Sequence, residues 1–317
     1  MSTAVQSPFN TNPAYSGTFI PTIWSGKLNV KFYATTVFGE IANTNYEGDI
    51  KNLGDKVVIN NIPSISINDY TVGQNLSYEV PTPNKVELTI DKAKYFGVNV
   101  SDVLEYQSQP KLMDMFTDDA ANQMRIAIDR DLLLNSFNDG AAANKGSTAG
   151  VRSGSFNLGV DNTPVALTGA NVIQTITALA SVLDEQNVPE TDRWLVISPY
   201  VRNVLMASPL AQAYVTGDSQ SILRNGKIGT IDRFTIYVSN QVPAAAAGKD
   251  FFGGDQTGAA KRQAIIAGHK TAITFASQIA KVESLQNPND FGQLVRGLNV
   301  YGYNTIKSEG LALALVA

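Results

Sequence analysis

Paired carboxylates are the side chains whose spacing in this chain comes nearest to a chemical site. Asp118-Asp119 and Asp129-Arg130-Asp131 have the residue types that hold a divalent cation or share acid–base work. Both runs lie in a segment with helical periodicity, and adjacent residues of a helix point about 100° apart. Neither run can converge on one ion or substrate without help from elsewhere, so we expect both to form a solvated or inter-subunit face.

Histidine and cysteine chemistry is almost missing from the sequence. There is no cysteine and one histidine, His269, which excludes disulfides, thiol nucleophiles and Cys-ligated zinc. His269 lies in AGHKTAITF between two predicted strands, which indicates a packed or solvated residue rather than a general base. The Gly-rich stretches FFGGDQTG and NKGSTAG have neither the Walker nor the dinucleotide-binding spacing. We therefore predict no catalytic residue, no cofactor and no metal site.

The composition is that of a protein with large contact areas. The 317 residues are 44% apolar, enough for a sizeable core, but only 16% charged, against about 25% in ordinary soluble domains. Charge depletion is typical of the core of subunit interfaces. The net charge of −4 argues against a strong electrostatic hold on nucleic acid or anionic membrane. No secretory signal and no bilayer-spanning apolar run is evident, so we expect synthesis in a cytoplasm.

The elements that would position these residues begin with an arm. The first 30 residues are rich in proline, asparagine and aromatic residues and have no sustained period. Such a segment cannot pack well alone, so we expect its aromatic side chains to dock on the chain's own body or on a neighbour. A short helix is predicted over 28–44.

Two alternating segments then predict a long antiparallel excursion over about 53–97. KVVINNIPSISIN (56–68) is β-branched, and NKVELTID places Val86, Leu88 and Ile90 on one face. The stretch between them carries glycine and proline and predicts an irregular tip. A two-stranded ribbon is marginal by itself in water, so we expect a partner surface, which another subunit can supply.

The strongest periodicity predicts a helix over about 110–137. Its apolar stripe steps by three or four residues and consists of Met113, Phe116, Ala120, Met124, Ile128 and Leu132. The opposite face carries Asp114, Asp118, Asn122, Arg125 and Asp129. Such a helix would be roughly 40 Å long at about 1.5 Å per residue.

After a Gly/Ala/Ser loop the pattern becomes mixed α/β. An apolar stripe from Val172 to Leu183 predicts a second helix. RWLVI predicts a buried strand, and Ser198-Pro199 then predicts the start of a short helix that runs to Met206. From GTIDRFTIYVSNQVP to GLALALVA the chain reads mostly as strands separated by glycine-containing turns.

This order of parts resembles that of the major capsid proteins of tailed bacteriophages, which have the Hong Kong-type capsid fold, and more narrowly the coat proteins of short-tailed phages. FIPTIWSGKL followed by NTNYEGDIKNLGDKVVI, then RWLVISPYVRNVLM and GKIGTIDRFTIYVSNQVP, are each similar to segments of that family. Arg233 departs from the resemblance, because we would expect a glycine turn at that point.

The resemblance implies an α+β phage major capsid fold. Its parts would be an N-terminal arm (1–40), an extended β-hairpin loop (41–100), a peripheral domain with the spine helix (101–159), a mixed α/β axial domain (160–278) and peripheral C-terminal strands (279–317). It also implies that VRGLNVYGYNTIK and GLALALV pair beneath the spine helix, which would bury the apolar end of the chain.

The implied function is structural: the major subunit of an icosahedral virion shell around double-stranded DNA, self-assembled from pentamers and hexamers in the host cytoplasm. The implied partners are other copies of the chain, a portal, DNA packaged without sequence readout and a possible decoration protein, with no membrane. Met1 is followed at once by the arm, so we expect a separate scaffolding protein. The residues expected at subunit contacts are Phe9, Tyr15, Phe19, Trp24, Tyr70, Tyr78, Val86, Leu88, Asp118, Arg125 and Asp129.

Some members of that family weld subunits through a Lys–Asn isopeptide bond. Lys85, Lys92 and Lys94 lie in the hairpin region, and Asn299 and Asn304 lie near the end of the chain. No motif singles out a pair, so we expect no cross-link.

Three other interpretations are open at this point. A cellular nanocompartment shell shares the fold, but the arm and loop segments are similar to those of phage coats. A soluble α/β enzyme of unknown reaction is disfavoured because no polar residues converge. A surface-layer or adhesin module is disfavoured because no secretory signal is evident.

Overall fold

A computed structural model describes residues 33–45, 56–101, 112–208, 229–288 and 291–317, apart from positions 35, 62, 64, 76–77 and 82–83. The predicted arm lies almost wholly outside these residues. The helices are α1 (Phe38–Ile41), α2 (Leu112–Ser136), α3 (Val172–Glu185) and α4 (Pro199–Met206). The strands are β1 (Lys56–Asn61), β2 (Asn84–Thr89), β3 (Lys92–Ser101), β4 (Arg193–Ile197), β5 (Thr230–Ile231), β6 (Phe234–Val238), β7 (Ala244–Ala245), β8 (Arg262–His269), β9 (Ile273–Gln286), β10 (Gly292–Thr305) and β11 (Leu311–Val316). None of the helices in the described ranges is long and apolar enough to cross a membrane.

The long helix α2 packs on a small sheet of three antiparallel strands in the order β3-β10-β9. Ile128 and Leu132 of the predicted apolar stripe are buried, in one cluster with Phe275 and Tyr301 of the sheet. The helix that the periodicity predicts is therefore confirmed. Its stripe faces the core only in the C-terminal half, since Phe116 is 42% exposed.

The hairpin of β1 and β2 pairs in register from Lys56 opposite Thr89 to Asn61 opposite Asn84. Its alternation is confirmed, because Leu88 is fully buried and packs with Ile90 against the small sheet. The first strand is shorter than predicted and ends at Asn61 rather than near residue 68. Proline at position 63 supplies the physical reason, since it has no N–H for a strand ladder.

A large mixed sheet has the order β11-β8-β4-β6-β5, with β7 also paired to β8. β4 and β6 run parallel, and β8 lies antiparallel to β4 and to β11. Helix α3 packs on this sheet through the predicted stripe, whose members Val172, Ile176, Leu179 and Leu183 are all buried. Ser198 caps α4 as predicted, since its hydroxyl accepts a hydrogen bond from the N–H of Val201.

The apolar end of the chain is buried, but not by the predicted pairing. β11 pairs with β8 of the large sheet and not with β10, because β10 already has β3 and β9 at its two edges. Leu311, Leu313 and Leu315 belong to the hydrophobic cluster that contains the buried residues of α2. The alternate residues Ala312, Ala314 and Val316 belong to the cluster that contains the buried residues of α3. A strand that is apolar on both faces suits this place between two cores.

Two local predictions also need correction. In the described residues the helix predicted over 28–44 is a single turn, α1, because Asn43 leaves it and pairs with β9. At the β5–β6 turn Asp232 and Arg233 have φ of 46° and 69°, both in the left-handed region. A two-residue hairpin turn requires that geometry, so the turn forms without the expected glycine.

Candidate assembly surface

The acidic residues do not assemble a chemical site. Asp118 is exposed on α2, and Asp119 accepts a hydrogen bond from the hydroxyl of Tyr33 at 3.0 Å. Across the ranges that the structure covers, no three His, Asp or Glu side chains are grouped to hold a metal ion. Asp118 and the exposed Arg125 stay predictions for subunit contact.

Asp131 is a structural link rather than part of a solvated face. Its Oδ2 accepts hydrogen bonds from the hydroxyl of Tyr301 at 2.9 Å and from Lys92 Nζ at 3.3 Å. The ammonium of Lys92 also lies 4.2 Å from the ring centre of Tyr303. Burial lowers the pKa of Lys92, but its bonds to Tyr303 and Asp131 outweigh burial and raise that pKa above its ordinary value. The network ties α2 to β3 and β10.

Asp129 was expected on the polar face, and that expectation is wrong. Its side chain is fully buried, and its Oδ1 accepts hydrogen bonds from the N–H groups of Val37 at 3.0 Å and Phe38 at 2.8 Å. Burial raises the pKa of Asp129 to about 6, although the two hydrogen bonds oppose this. The reason for the error is non-local: residues 37–42 lie over the helix at this point, which helical periodicity alone does not reveal.

A group of exposed apolar side chains lies between β1 and β2, in the described part of residues 65–80, which we call the loop surface. Ile67 is 92% exposed and Val72 is 96% exposed. The other exposed apolar side chains of the loop surface are Ile65, Tyr70, Tyr78 and Val80. The segment contains Asp69 and Glu79 but no lysine or arginine. A contiguous group of exposed apolar side chains marks a protein contact.

The remaining predicted contact residues divide into three groups. Tyr70 and Tyr78 belong to the loop surface. Val86 is half-buried and Leu88 is buried against the chain's own small sheet, so Leu88 supports the hairpin and offers little surface to a neighbour. Phe9, Tyr15, Phe19 and Trp24 lie outside the described residues.

Sequence reasoning missed the aliphatic part of the loop surface. The sequence does contain a sign that this part is exposed. A stretch broken by proline and glycine cannot form a regular strand, so it cannot bury Ile65, Ile67 and Val72 in one. A second exposed apolar pair, Tyr95 opposite Leu298, lies on the small sheet. It was missed because the pairing of β3 with β10 brings together residues that are far apart in the chain.

A cleft of about 500 Å³ opens beside the end of α2, β11 and the loop at 249–256. Its buried cation, Arg262, lies 2.8 Å from Asp161 and 4.7 Å from the ring centre of Phe251. Lys249 pairs with Asp255. Lys145 donates to Asn138, and Asp250 accepts from the N–H groups of Phe252 and Gly254. The charged groups of the cleft are thus engaged in local structural contacts.

The lysine and asparagine side chains considered for a cross-link are mostly engaged within the chain. Lys94 is the register partner of Asn299 in the β3–β10 pair, and Asn299 accepts a hydrogen bond from Ser277. The amide of Asn304 donates to the carbonyl of Glu87 at 2.8 Å. Lys92 belongs to the Asp131 network described above.

Comparison with known proteins gives a consistent result. The sequence model of a family described as phage capsid protein matches residues 85–314. A comparison with curated proteins gives no match.

Several solved structures share the fold over nearly the whole chain. A chain of Mycobacterium phage Che8 is 23% identical with a TM-score of 0.74, and the match covers 95% of this chain and 97% of that one. The capsid of Cyanophage P-SCSP1u is 18% identical, TM-score 0.69, covering 95% and 93%. The mature capsid of bacteriophage PhiM1 is 15% identical, TM-score 0.67, covering 97% and 96%.

Proposed function

This chain belongs to the phage capsid protein family, and from that premise we propose that it builds a closed icosahedral shell around double-stranded DNA. Membership of the family makes it a structural protein, a major capsid subunit that assembles in many copies and is located in the virion. Beyond that, we propose pentamers and hexamers as the units of the shell, assembly in the host cytoplasm and no catalytic activity.

The observation that carries the proposal is the loop surface. Six apolar side chains project from it without cover in the described subunit, and fully burying such a side chain contributes roughly 1.5–3 kcal/mol. Contacts of this size, repeated around each subunit, hold a shell together because a subunit must break several of them at once to leave. We propose that the loop surface packs on a neighbouring copy.

Each part of the chain receives a role in this proposal. The arm (1–40) would lie along an adjacent subunit, and the extended loop (41–100) would reach over a neighbour. The peripheral domain (101–159) would carry the spine helix, and the axial domain (160–278) would cluster at the five-fold and six-fold positions. Of the last segment (279–317), β10 would stay with the peripheral domain, while β11 completes the large sheet.

Light scattering and negative-stain electron microscopy of the purified chain test the proposal. Expressed with candidate scaffolding partners, the wild type is expected to give closed shells or capsid-like sheets. Ile67→Asp with Val72→Asp should abolish these while the circular dichroism spectrum is unchanged, because charge on the loop surface opposes its burial. Val151→Asp is the control, an exposed valine outside the loop surface. A monodisperse wild-type monomer or dimer in every condition would overturn the proposal.

The proposed partners beyond other copies are a separate scaffolding protein, a portal, packaged DNA without sequence readout and a decoration protein. The net charge of −4 supports weak, sequence-independent contact with DNA. Shells of normal geometry formed from this chain alone, without any partner, would count against the scaffolding protein.

A further inference from the structure

We propose that Asp129 is a proton-operated latch that sets how tightly residues 37–42 are held against helix α2. The latch is closed when the carboxyl group is protonated and is loosened when it is ionised. The contacts from which it is inferred all lie within one subunit.

The geometry of Asp129 is one-sided. Its Oδ1 accepts both hydrogen bonds, from the N–H groups of Val37 and Phe38. Its Oδ2 is buried and has no hydrogen-bond partner in the part of the chain that the structure describes. Half of the carboxylate is therefore cut off from water without any compensating bond, which is costly when the group is charged.

The surroundings of the carboxyl group are apolar. Val37 and Ile41 on one side and Ile128, Leu132 and Leu133 on the other are at most 2% exposed and belong to one cluster. An isolated ionised carboxylate in such a place destabilises the packing around it unless a cation is paired with it.

No such cation faces Asp129 in the described residues. The titratable or charged groups on the elements packed around it include Glu40 of α1, Arg125, Arg130 and Asp131 of α2, Tyr237 of β6, and Tyr301 and Tyr303 of β10. Asp131 is bonded to Lys92 and Tyr301, and the described contacts include no ion pair or hydrogen bond from these groups to Asp129. The energetic cost of ionising Asp129 must therefore weaken the contact between α2 and residues 37–42.

The direction of the effect follows from linkage. With residues 37–42 seated, burial raises the pKa of Asp129 from 3.8 to about 6. Unseating them returns the group to water and its pKa towards the lower value, so the seated state binds the proton more tightly. Attachment is then tightest in acid and weakens as pH rises through these two pKa values, by roughly 100-fold in its equilibrium constant over the full titration. Between pH 5 and 7.5 the equilibrium constant for attachment is expected to change roughly tenfold.

Hydrogen exchange of the full chain tests the latch. The amides of residues 37–42 are followed at pH 5, 6 and 7.5, with rates corrected for intrinsic exchange. The wild type is expected to open roughly tenfold more often at pH 7.5 than at pH 5. Asp129→Asn, a neutral side chain of the same shape, should be independent of pH and close to the acid value. Asp118→Asn, the same change at an exposed position of α2, should keep the wild-type response.

Three outcomes would overturn the latch. The wild-type amides could exchange equally at all three pH values. Asp118→Asn could remove the response. Asp129→Asn could loosen the segment at both pH extremes, as a purely structural carboxylate would require. If Asp129→Asn does not fold, the wild-type profile still decides, because the α4 segment Pro199–Met206 contains no carboxylate and serves as the internal reference that should not titrate.

Discussion

The hydroxyl of Tyr301 donates a 2.9 Å hydrogen bond to the carboxylate of Asp131. This bond joins the central strand of the small sheet to helix α2, at a position where the ring of Tyr301 is fully buried. Burial first, and then the bond to the carboxylate, raise the pKa of Tyr301, so the phenol stays a donor at neutral pH.

Removing that hydroxyl should weaken the fold. Tyr301→Phe keeps the ring, which stacks on Phe275, but deletes a hydrogen bond to a charged group. We expect the free energy of unfolding in urea to fall by about 1.5–3 kcal/mol. Tyr95→Phe is the control, because that side chain is exposed and its change should cost little. Equal losses in the two variants would contradict the role given to the bond.

Two glycines with positive φ separate backbone strain from steric overlap. Gly159 and Gly253 have φ of 82° and 91°, but a Cβ at Gly159 would overlap the carbonyl of Leu315, whereas one at Gly253 meets open space. Gly253→Ala should cost about 1–2 kcal/mol from strain alone. Gly159→Ala should cost about 3 kcal/mol or more, since it also disturbs the hydrogen bonds that cover β11. Calorimetric or urea unfolding of both variants checks this, and similar values would refute the overlap.

The single histidine should make stability depend on pH. Burial lowers the pKa of His269, and its Nδ1 accepts a hydrogen bond from the N–H of Thr271 at 3.2 Å. The fold therefore favours neutral imidazole: its contribution is complete above about pH 6.5 and is lost as pH falls below that value.

His269→Gln removes that titration. Between pH 7.5 and 5.5 the wild type should lose more free energy of unfolding than the variant, as measured by urea titration at both pH values. Asp129 is common to both proteins, so its opposite contribution cancels from the difference. A variant that loses as much as the wild type would show that His269 titrates normally.

Assembled particles should contain no covalent links between subunits. Lys92 and Asn304 are committed to contacts within their own chain, and Lys94 faces Asn299 of the same subunit. Boiling in SDS should give one band at the 34.0 kDa of the chain. A ladder of multiples would contradict this expectation, and mass spectrometry of the ladder would identify the linked pair.

The sequence predicted the elements whose signals are local. The stripe from Val172 to Leu183 predicts helix α3, because apolar residues three or four positions apart share one face only in a helix, and all four are buried. The cap at Ser198 and the following proline specify where α4 begins. The long helix was equally clear from its stripe.

The features that could not be predicted depend on contacts between segments that are far apart in the sequence. Asp129 reads as a surface residue of an amphipathic helix, and only the seating of residues 37–42 buries it. The pairing of β11 with β8 depends on which strands still have a free edge, a property of the whole sheet and not of LALALV itself. Arg233 in a left-handed turn makes ion pairs with Asp184 and Glu190, which lie 40 or more residues away in the chain.

The position of β11 between the two hydrophobic clusters also has a consequence for the order of events during biosynthesis. Its leucines complete one cluster and its alanines and valine complete the other, yet these residues leave the ribosome after every other described element. Both clusters therefore lack part of their apolar lining until residues 311–316 are present. Loss of this one strand would open both clusters at once, so a chain that stops before residue 311 should be less able to fold and to enter a shell.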